Sequence, residues 1–194
     1  LVDKGRLSII IKIQFRPLLT GLLMNIFVLD KDPVKAAQMH CDKHCVKMVL
    51  ELYQQLGSAL RRHGATDSMM PRTQKGTPLK GGYHNHPCTR WVGDSRANFE
   101  WACKHAIALA EEYTYRYGKR HSCLNGILQM QGLTDVIPYG KLTSFAQAMP
   151  DEYKDDDAVI AYKKYYWYDK RKNISMTWKC DRKPSWFTAN KIFT

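Results

Sequence analysis

The sequence predicts a mainly α, single-domain protein: two long packed helices, a short N-terminal strand and shorter C-terminal helices. Three observations predict it. Two stretches, Pro33 to about His63 and Ser95 to Tyr117, carry apolar residues at helical period and are closed by Gly64 and Gly118. A short apolar run, Asn25 to Leu29, precedes them and reads as a buried strand. The chain of 194 residues shows no repeats, no inter-domain linker and no phosphate-binding Gly-rich loop, which suits one core.

The elements follow in order. Residues 1–23 stand apart, because L-S-I-I-I-K-I-Q-F-R-P-L-L-T-G-L-L is apolar but broken by Lys12, Arg16 and Pro17. It is too short and interrupted to span a bilayer, and no A-x-A-like cleavage site precedes Met24. The expectation is that Met24 is the natural start. Residues 1–23 are then an N-terminal extension and residues 24–194 one globular domain. Asp32 is placed to cap the first long helix, with Pro33 at its first position. On the helical wheel His40, His44, Lys47 and Glu51 form one narrow stripe, and Cys41, Cys45, Met48, Val49, Leu52 and Leu56 fill much of the rest. A mostly apolar helix with one ionisable stripe turns that stripe toward a cleft or a partner.

Ala65 to Tyr83 is rich in Gly, Pro, Thr, Ser and Lys and reads as a mobile basic loop. H-N-H-P-C-T-R-W, His84 to Trp91, is a turn leading into a helical turn, since Pro87 disfavours helix at His86. On the second long helix Asn98, His105, Glu112 and Arg116 share one side, opposite the solvent face of Arg96, Glu100, Lys104 and Glu111. Short helices are expected at Asn125–Met130 and Thr143–Met149, and a final one over Asp155–Lys172 behind a triple Asp. The tail, W-K-C-D-R-K-P-S-W-F, looks extended and aromatic.

Charge sets the partner. Lys and Arg number 30 against 18 Asp and Glu, a formal +12, which favours nucleic acid first and an anionic membrane second. This total is silent about reaction type. The six cysteines form no C-x-x-C pair, so a zinc ribbon is disfavoured and reduced thiols in a cytoplasm are the simpler reading.

Each constellation carries a plain reading beside a chemical one. His40 and His44 at i,i+4 could hold zinc with His84 or His86, yet Lys43 and Lys47 would repel a cation. Buried imidazoles satisfied by hydrogen bonds fit equally well, and a cationic stripe suits phosphate or proton transfer better than metal. Arg90 could hold a phosphate, whereas Trp91 reads as core. Glu112 and Arg116 can simply pair. In Y-K-K-Y-Y-W-Y-D-K-R-K, Tyr162 to Lys172, rings could stack on bases while Lys163 and Lys164 neutralise phosphates, or the rings could fill core.

Taken together, the M-N-I-F-V-L-D start, the ionisable helix, the H-P-x-x-R-W-type element and the helix ending E-E-Y-T-Y-R-Y-G-K resemble the pyrimidine-dimer DNA glycosylase/AP lyase family, best known from a tailed phage. The chain also resembles uncharacterised tailed-phage proteins that begin in the same way. The likeness covers Met24 to Lys119 loosely, with an echo in the aromatic-basic C-terminus. It implies that the nucleophile is the α-amine of the residue after the initiator Met, here Asn25. The family's glutamate has no direct counterpart: the matching turn holds Lys43, His44 and Lys47, with Glu51 one turn later, so His44 or Glu51 is the expected acid/base. The resemblance also implies that His86, Arg90 and Trp91 position DNA.

The resulting expectation is a cytoplasmic, phage-type DNA-binding enzyme acting on a base or its glycosidic bond, in the host cytoplasm if phage-encoded. Asn25, His44 and Glu51 would be catalytic. His40, Lys43, Lys47, His84, His86, Arg90, Asn98, Arg116, Lys163 and Lys164 would bind nucleic acid across a cleft between the long helices. No cofactor and no membrane are expected. The alternatives are a non-catalytic nucleic-acid-binding phage protein and a metal-dependent hydrolase using His40 and His44, with zinc as the alternative cofactor.

Overall fold

Asp32 begins the helical part of the chain. Its Oδ1 accepts the Val34 and Lys35 N–H groups at 2.9 Å each, and Pro33 takes the position that needs no donor. The resulting helix, α1 (Pro33–Gln38), is short, and α2 (Asp42–Arg62) starts after a break at His40 and Cys41. The single helix expected from Pro33 is therefore two. The break is held by Arg116, which donates to Gln38 O at 2.9 Å, to His40 O at 2.8 Å and to Asp42 at 3.1 Å. A helix end leaves carbonyls without partners, and a distant guanidinium supplies them here.

The structure is a computed structural model that describes residues 24–187. The N-terminal extension expected over residues 1–23 lies outside the described residues.

Helix α3 (Pro87–Val92) packs on α2, and α4 (Arg96–Tyr117) runs against α2 as the main helix pair. Ser95 Oγ caps α4 by accepting Asn98 N at 3.2 Å, and Gly118 ends it at φ +64°, a left-handed position suited to glycine. The expected faces of α4 hold: Asn98, His105, Glu112 and Arg116 are buried, while Glu100, Lys104 and Glu111 are exposed. Leu52, Leu56, Leu60 and Leu109 are fully buried between these helices. Truncating one of them to Ala would cost about 2–5 kcal/mol. Helix α5 (Leu124–Gln131) widens the expected Asn125–Met130 by one residue at each end and packs on α4 and α2.

Two expected elements are absent. Asn25–Leu29 is buried as anticipated, but it pairs with no strand; the β-type pairing among the described residues is an isolated bridge, Arg72 with Pro78. Instead Asn25 Oδ1 accepts the N–H groups of Ile26 and Phe27 at 2.8 and 3.4 Å, and Phe27 adopts φ +52°. Thr143–Met149 forms no helix, because other elements take the backbone groups a helix would use. Asn98 Oδ1 accepts Thr143 N at 2.9 Å, Tyr162 donates to Ala146 O at 2.7 Å, and Asn25 Nδ2 donates to Ala148 O at 2.7 Å.

Asp157 Oδ1 caps α6 (Ala158–Tyr165) by accepting Val159 N at 2.7 Å. Expected to run regularly from Asp155 to Lys172, the helix instead widens into a π-helical turn, Tyr166–Lys170, and closes with Arg171–Asn173. The tail returns across the α1–α2 break, where Trp178 Nε1 donates to Met39 O at 3.0 Å and Lys179 N to Asp42 at 3.0 Å. The loop after α2 is irregular, as its composition suggests, but pinned. Ser58 Oγ accepts Gly82 N at 2.7 Å and donates to Gly82 O at 2.8 Å, and a Cβ on Gly81 (φ +81°) would collide with Ser58. No helix among the described residues is long and apolar enough to cross a membrane.

Candidate active site

The face of α2 that carries His44, Lys47 and Glu51 continues through Gln55 and Ser58. Packed on it is the segment that starts at Met24. Glu51 Oε2 accepts the Asn25 N–H at 3.1 Å, and Glu51 Oε1 pairs with Lys47 Nζ at 2.8 Å. Gln55 Nε2 reaches Asn25 O at 3.4 Å. The Asn25 side chain is held from the other side: Nδ2 by Ala148 O and Oδ1 by the Cys88 thiol at 3.8 Å, besides its own backbone bonds. Asn25 is thus fixed by α2 through its main chain and by α3 and the 143–149 segment through its side chain. Phe27, two residues on, holds a left-handed backbone that a bulky residue adopts at a cost, and its ring stacks on His44 at 4.4 Å.

The electrostatics separate the two expected acid/base groups. Burial pushes the Glu51 carboxyl above its ordinary value, while the Lys47 hydrogen bond and charge, the Asn25 N–H and Lys170 pull it back. His44 is depressed to about 3, first by burial and then by Lys170 and Lys47, so it is neutral at physiological pH. Its Nδ1 is bonded to the Tyr166 hydroxyl. Glu51 meets the Asn25 nitrogen; His44 supports the wall behind it. Lys47 is the accessible cation of the group, with a side chain 41% exposed against 10% for Glu51.

Three residues expected to face nucleic acid do not. His40 is fully buried and its Nδ1 is bonded to Ala36 O at 2.8 Å. Asn98, also fully buried, donates to Trp91 O and Thr143 Oγ1 at 2.8 Å each. The Arg116 side chain is sealed in the helix break, with Glu112 at 2.8 Å as a further partner. His40 Nδ1, the Asn98 amide and the Arg116 guanidinium are each spent on partners inside the fold, and burial keeps all three side chains from nucleic acid. His86 caps α3 through Nδ1, which accepts Cys88 N at 3.2 Å. Among the described residues no three His, Cys, Asp or Glu side chains are grouped to hold a metal ion.

Basic surface flanks the Asn25 cluster on two sides. A cleft of about 430 Å³ is lined by Arg62, His84, Asn85, Thr89 and Arg90, and Thr89 Oγ1 touches Met24 Sδ at 3.8 Å. A groove of about 820 Å³ has Leu50 and Tyr53 in its floor and Lys47, Arg72, Lys75 and His121 around it. Neither lining contains an acid. His84, Arg90 and Lys43 are exposed. Lys163 lies 5.6 Å from the Trp186 ring, and Lys164 is paired with Asp155 at 2.7 Å.

Sequence reasoning missed Gln55 and Lys170. Gln55 was legible as the next position of the stripe, four residues past Glu51. Lys170 was not, because a π-helical turn changes which residues of the last helix share a face. It lies over the Tyr165 ring at 4.3 Å and biases both His44 and Glu51.

Residues 24–125, more than half of the chain, match the family model described as pyrimidine dimer DNA glycosylase. No curated protein and no solved structure matches the chain. The matched span contains Asn25, Lys47, Glu51, Gln55 and Cys88, and stops short of Lys170.

Proposed function

The chain belongs to the pyrimidine dimer DNA glycosylase family, whose activity is repair of the glycosylase type, and from that premise we propose that it excises a damaged pyrimidine through an imine formed on Asn25, with Glu51 moving the protons. One contact supports the reading above all: the Asn25 nitrogen lies 3.1 Å from Glu51 Oε2, with both residues buried. In the structure this nitrogen is a peptide N–H following Met24. The reading applies to the form in which Asn25 is the first residue, where the same nitrogen is an α-amine.

An α-amine titrates at about 7.7–8.0, so a useful fraction is neutral near pH 7.5 and nucleophilic. Its lone pair attacks C1′ of the damaged nucleotide as the glycosidic C1′–N bond breaks, and the departing base takes that electron pair and a proton. The new C1′–N bond leaves a proton on nitrogen, which Glu51 is placed to accept. Opening of the C1′–O4′ bond, with O4′ protonated, gives the imine. Loss of a C2′ proton then expels the 3′ phosphate and cuts the strand. A carboxyl raised by burial suits a group that must both take and return a proton.

Such an enzyme reaches the sugar by turning the nucleotide out of the duplex. The exposed His84 and Arg90 on one side, and the exposed Lys43 with the half-buried Lys47 on the other, are the cations that would hold the flanking phosphates. Lys163 would add to this surface, whereas Lys164 would first have to leave Asp155. His86 contributes by setting the entry of α3. A DNA-repair role fits the cytoplasm.

The test is borohydride reduction of the chain beginning at Asn25, mixed with duplex DNA carrying one thymine dimer or one abasic site. A covalent adduct on the Asn25 nitrogen is expected, and Glu51→Gln should lower its rate by about 10²–10⁴-fold. A second reading has its own observation: Lys47 Nζ also touches Glu51, at 2.8 Å, and could supply the amine. Peptide mapping of the adduct decides between them. Salt-sensitive DNA binding with no adduct on either amine would leave a binding protein without this chemistry.

A further inference from the structure

Gln55 is fully buried, and its two amide atoms meet different fates. Nε2 makes a long bond, 3.4 Å, to Asn25 O, while Oε1 has no partner. A buried amide oxygen without a donor is costly and uncommon, so the group it awaits is informative. Gln55 stands one helical turn beyond Glu51 on the same face of α2. Glu51 binds the nitrogen of Asn25 and Gln55 its carbonyl, so the two side chains straddle one residue's main chain.

In a peptide the Asn25 nitrogen has one hydrogen, and Glu51 takes it. A neutral α-amine has two. We propose that the Asn25 amine gives its second hydrogen to Gln55 Oε1, so that Gln55 and Glu51 together aim the nucleophile's lone pair. The inference rests on the imine reading above. With both hydrogens held, the lone pair keeps one direction, away from α2 and toward an incoming sugar carbon. An amine held by one acceptor would rotate about its Cα–N bond, and reaction rates fall when the attacking atom is not aligned.

The other polar groups facing Asn25 are engaged or of the wrong kind. Ala148 O takes Asn25 Nδ2, and the Tyr162 hydroxyl donates to Ala146 O. The Cys88 thiol already donates to Asn25 Oδ1, and burial keeps Cys88 and Tyr162 protonated. From α2, Lys47 is a cation and His44 is turned to Tyr166; from the π-helical turn, Lys170 is a second cation. The amine's titration is therefore set by burial, Lys47 and Lys170, which lower it, and by Glu51 and the Gln55 oxygen, which raise it.

The experiment uses the chain beginning at Asn25, since the hydrophobic core cluster of the described residues runs from Ile26 to Phe187. The amine is titrated by ¹⁵N NMR after asparagine labelling, and imine formation is followed by borohydride trapping across pH. Gln55→Leu and the nearly isosteric Gln55→Met should lower the amine's titration midpoint and slow trapping about 10-fold, with KM for DNA unchanged. Gln55→Glu keeps an acceptor, so it should raise the midpoint and restore trapping at higher pH. Thermal unfolding shows which variants are folded, and Gln55→Glu carries the test if neither apolar variant is. Wild-type trapping with an amine midpoint and rate that no folded variant changes overturns the proposal and spares the imine reading. Midpoints that shift as stated while no protein forms an adduct uphold the contact and overturn the imine reading.

Discussion

Two clusters of ionisable side chains sit at opposite ends of α2's first three turns, and they are built on opposite principles. At the α1–α2 break, Arg116 satisfies Asp42, Glu112, Gln38 O and His40 O, and Arg182 adds a further bond to Glu112 at 3.1 Å. Each guanidinium nitrogen has an acceptor, and the side chain is sealed from water. At Asn25 the carboxylate of Glu51 is shared between a partly exposed lysine and a main-chain nitrogen, and the neighbouring Gln55 oxygen has no donor. Both clusters are buried and charged, so burial does not tell them apart. The difference lies in an acceptor without a donor beside a partly exposed lysine, present in the second cluster, whereas the first closes on partners within the fold.

The sharpest way to break this comparison is Glu51→Gln in the chain beginning at Asn25. Imine trapping should fall by about 10²–10⁴-fold. The unfolding temperature should stay equal to or above that of the wild type, because burial disfavours the charge that the amide replaces. Coincident loss of fold would place Glu51 with the structural knot. Arg116→Met should do the reverse. Stranding Asp42 and Glu112 in the interior should cost about 3–5 kcal/mol in urea unfolding, with the rate per folded molecule unchanged.

The pH dependence of stability separates the clusters next. His44 and His105 are depressed to about 3 and about 4 by burial, whereas in the unfolded chain they titrate near 6.5. Their neutral forms stabilise the fold fully above pH 6.5, and that contribution is lost as pH falls toward 4 and then 3. Each adds a slope of up to about 1.4 kcal/mol per pH unit in that window. His44→Asn should remove one such slope when stability is measured from pH 7 to 4. The smallest effect concerns DNA contact. Arg90→Ala should reduce the slope of log affinity against log salt by about 1, because Arg90 is exposed at the cleft. Lys164→Ala should change it less, since Asp155 competes for that charge. An equal response would return the C-terminal helix to the DNA-binding face.

Much of the architecture was legible in short patterns. The Asp32 and Ser95 caps, the Gly118 stop and the two faces of α4 are each specified by neighbours within a turn or two, so local chemistry suffices to read them. The strand at Asn25–Leu29 was misread because Asn25 Oδ1 takes the N–H groups of its own neighbours Ile26 and Phe27, a local turn that the apolar run conceals. The helix at Thr143–Met149 was misread because Asn98, Tyr162 and Asn25 reach in from elsewhere for its backbone groups, and no local pattern records that. The break at His40 is the same case with Arg116 as the remote partner.

The sequence by itself determined a mainly helical domain, a basic surface and one ionisable stripe on α2, because helical period and composition are properties of neighbouring residues. Only the tertiary structure decided how that stripe divides. It sent His40 into the core, turned His44 to Tyr166, and laid Asn25 across Glu51 and Gln55. That division depends on which distant carbonyl, hydroxyl or guanidinium reaches each side chain first, and packing alone settles the matter.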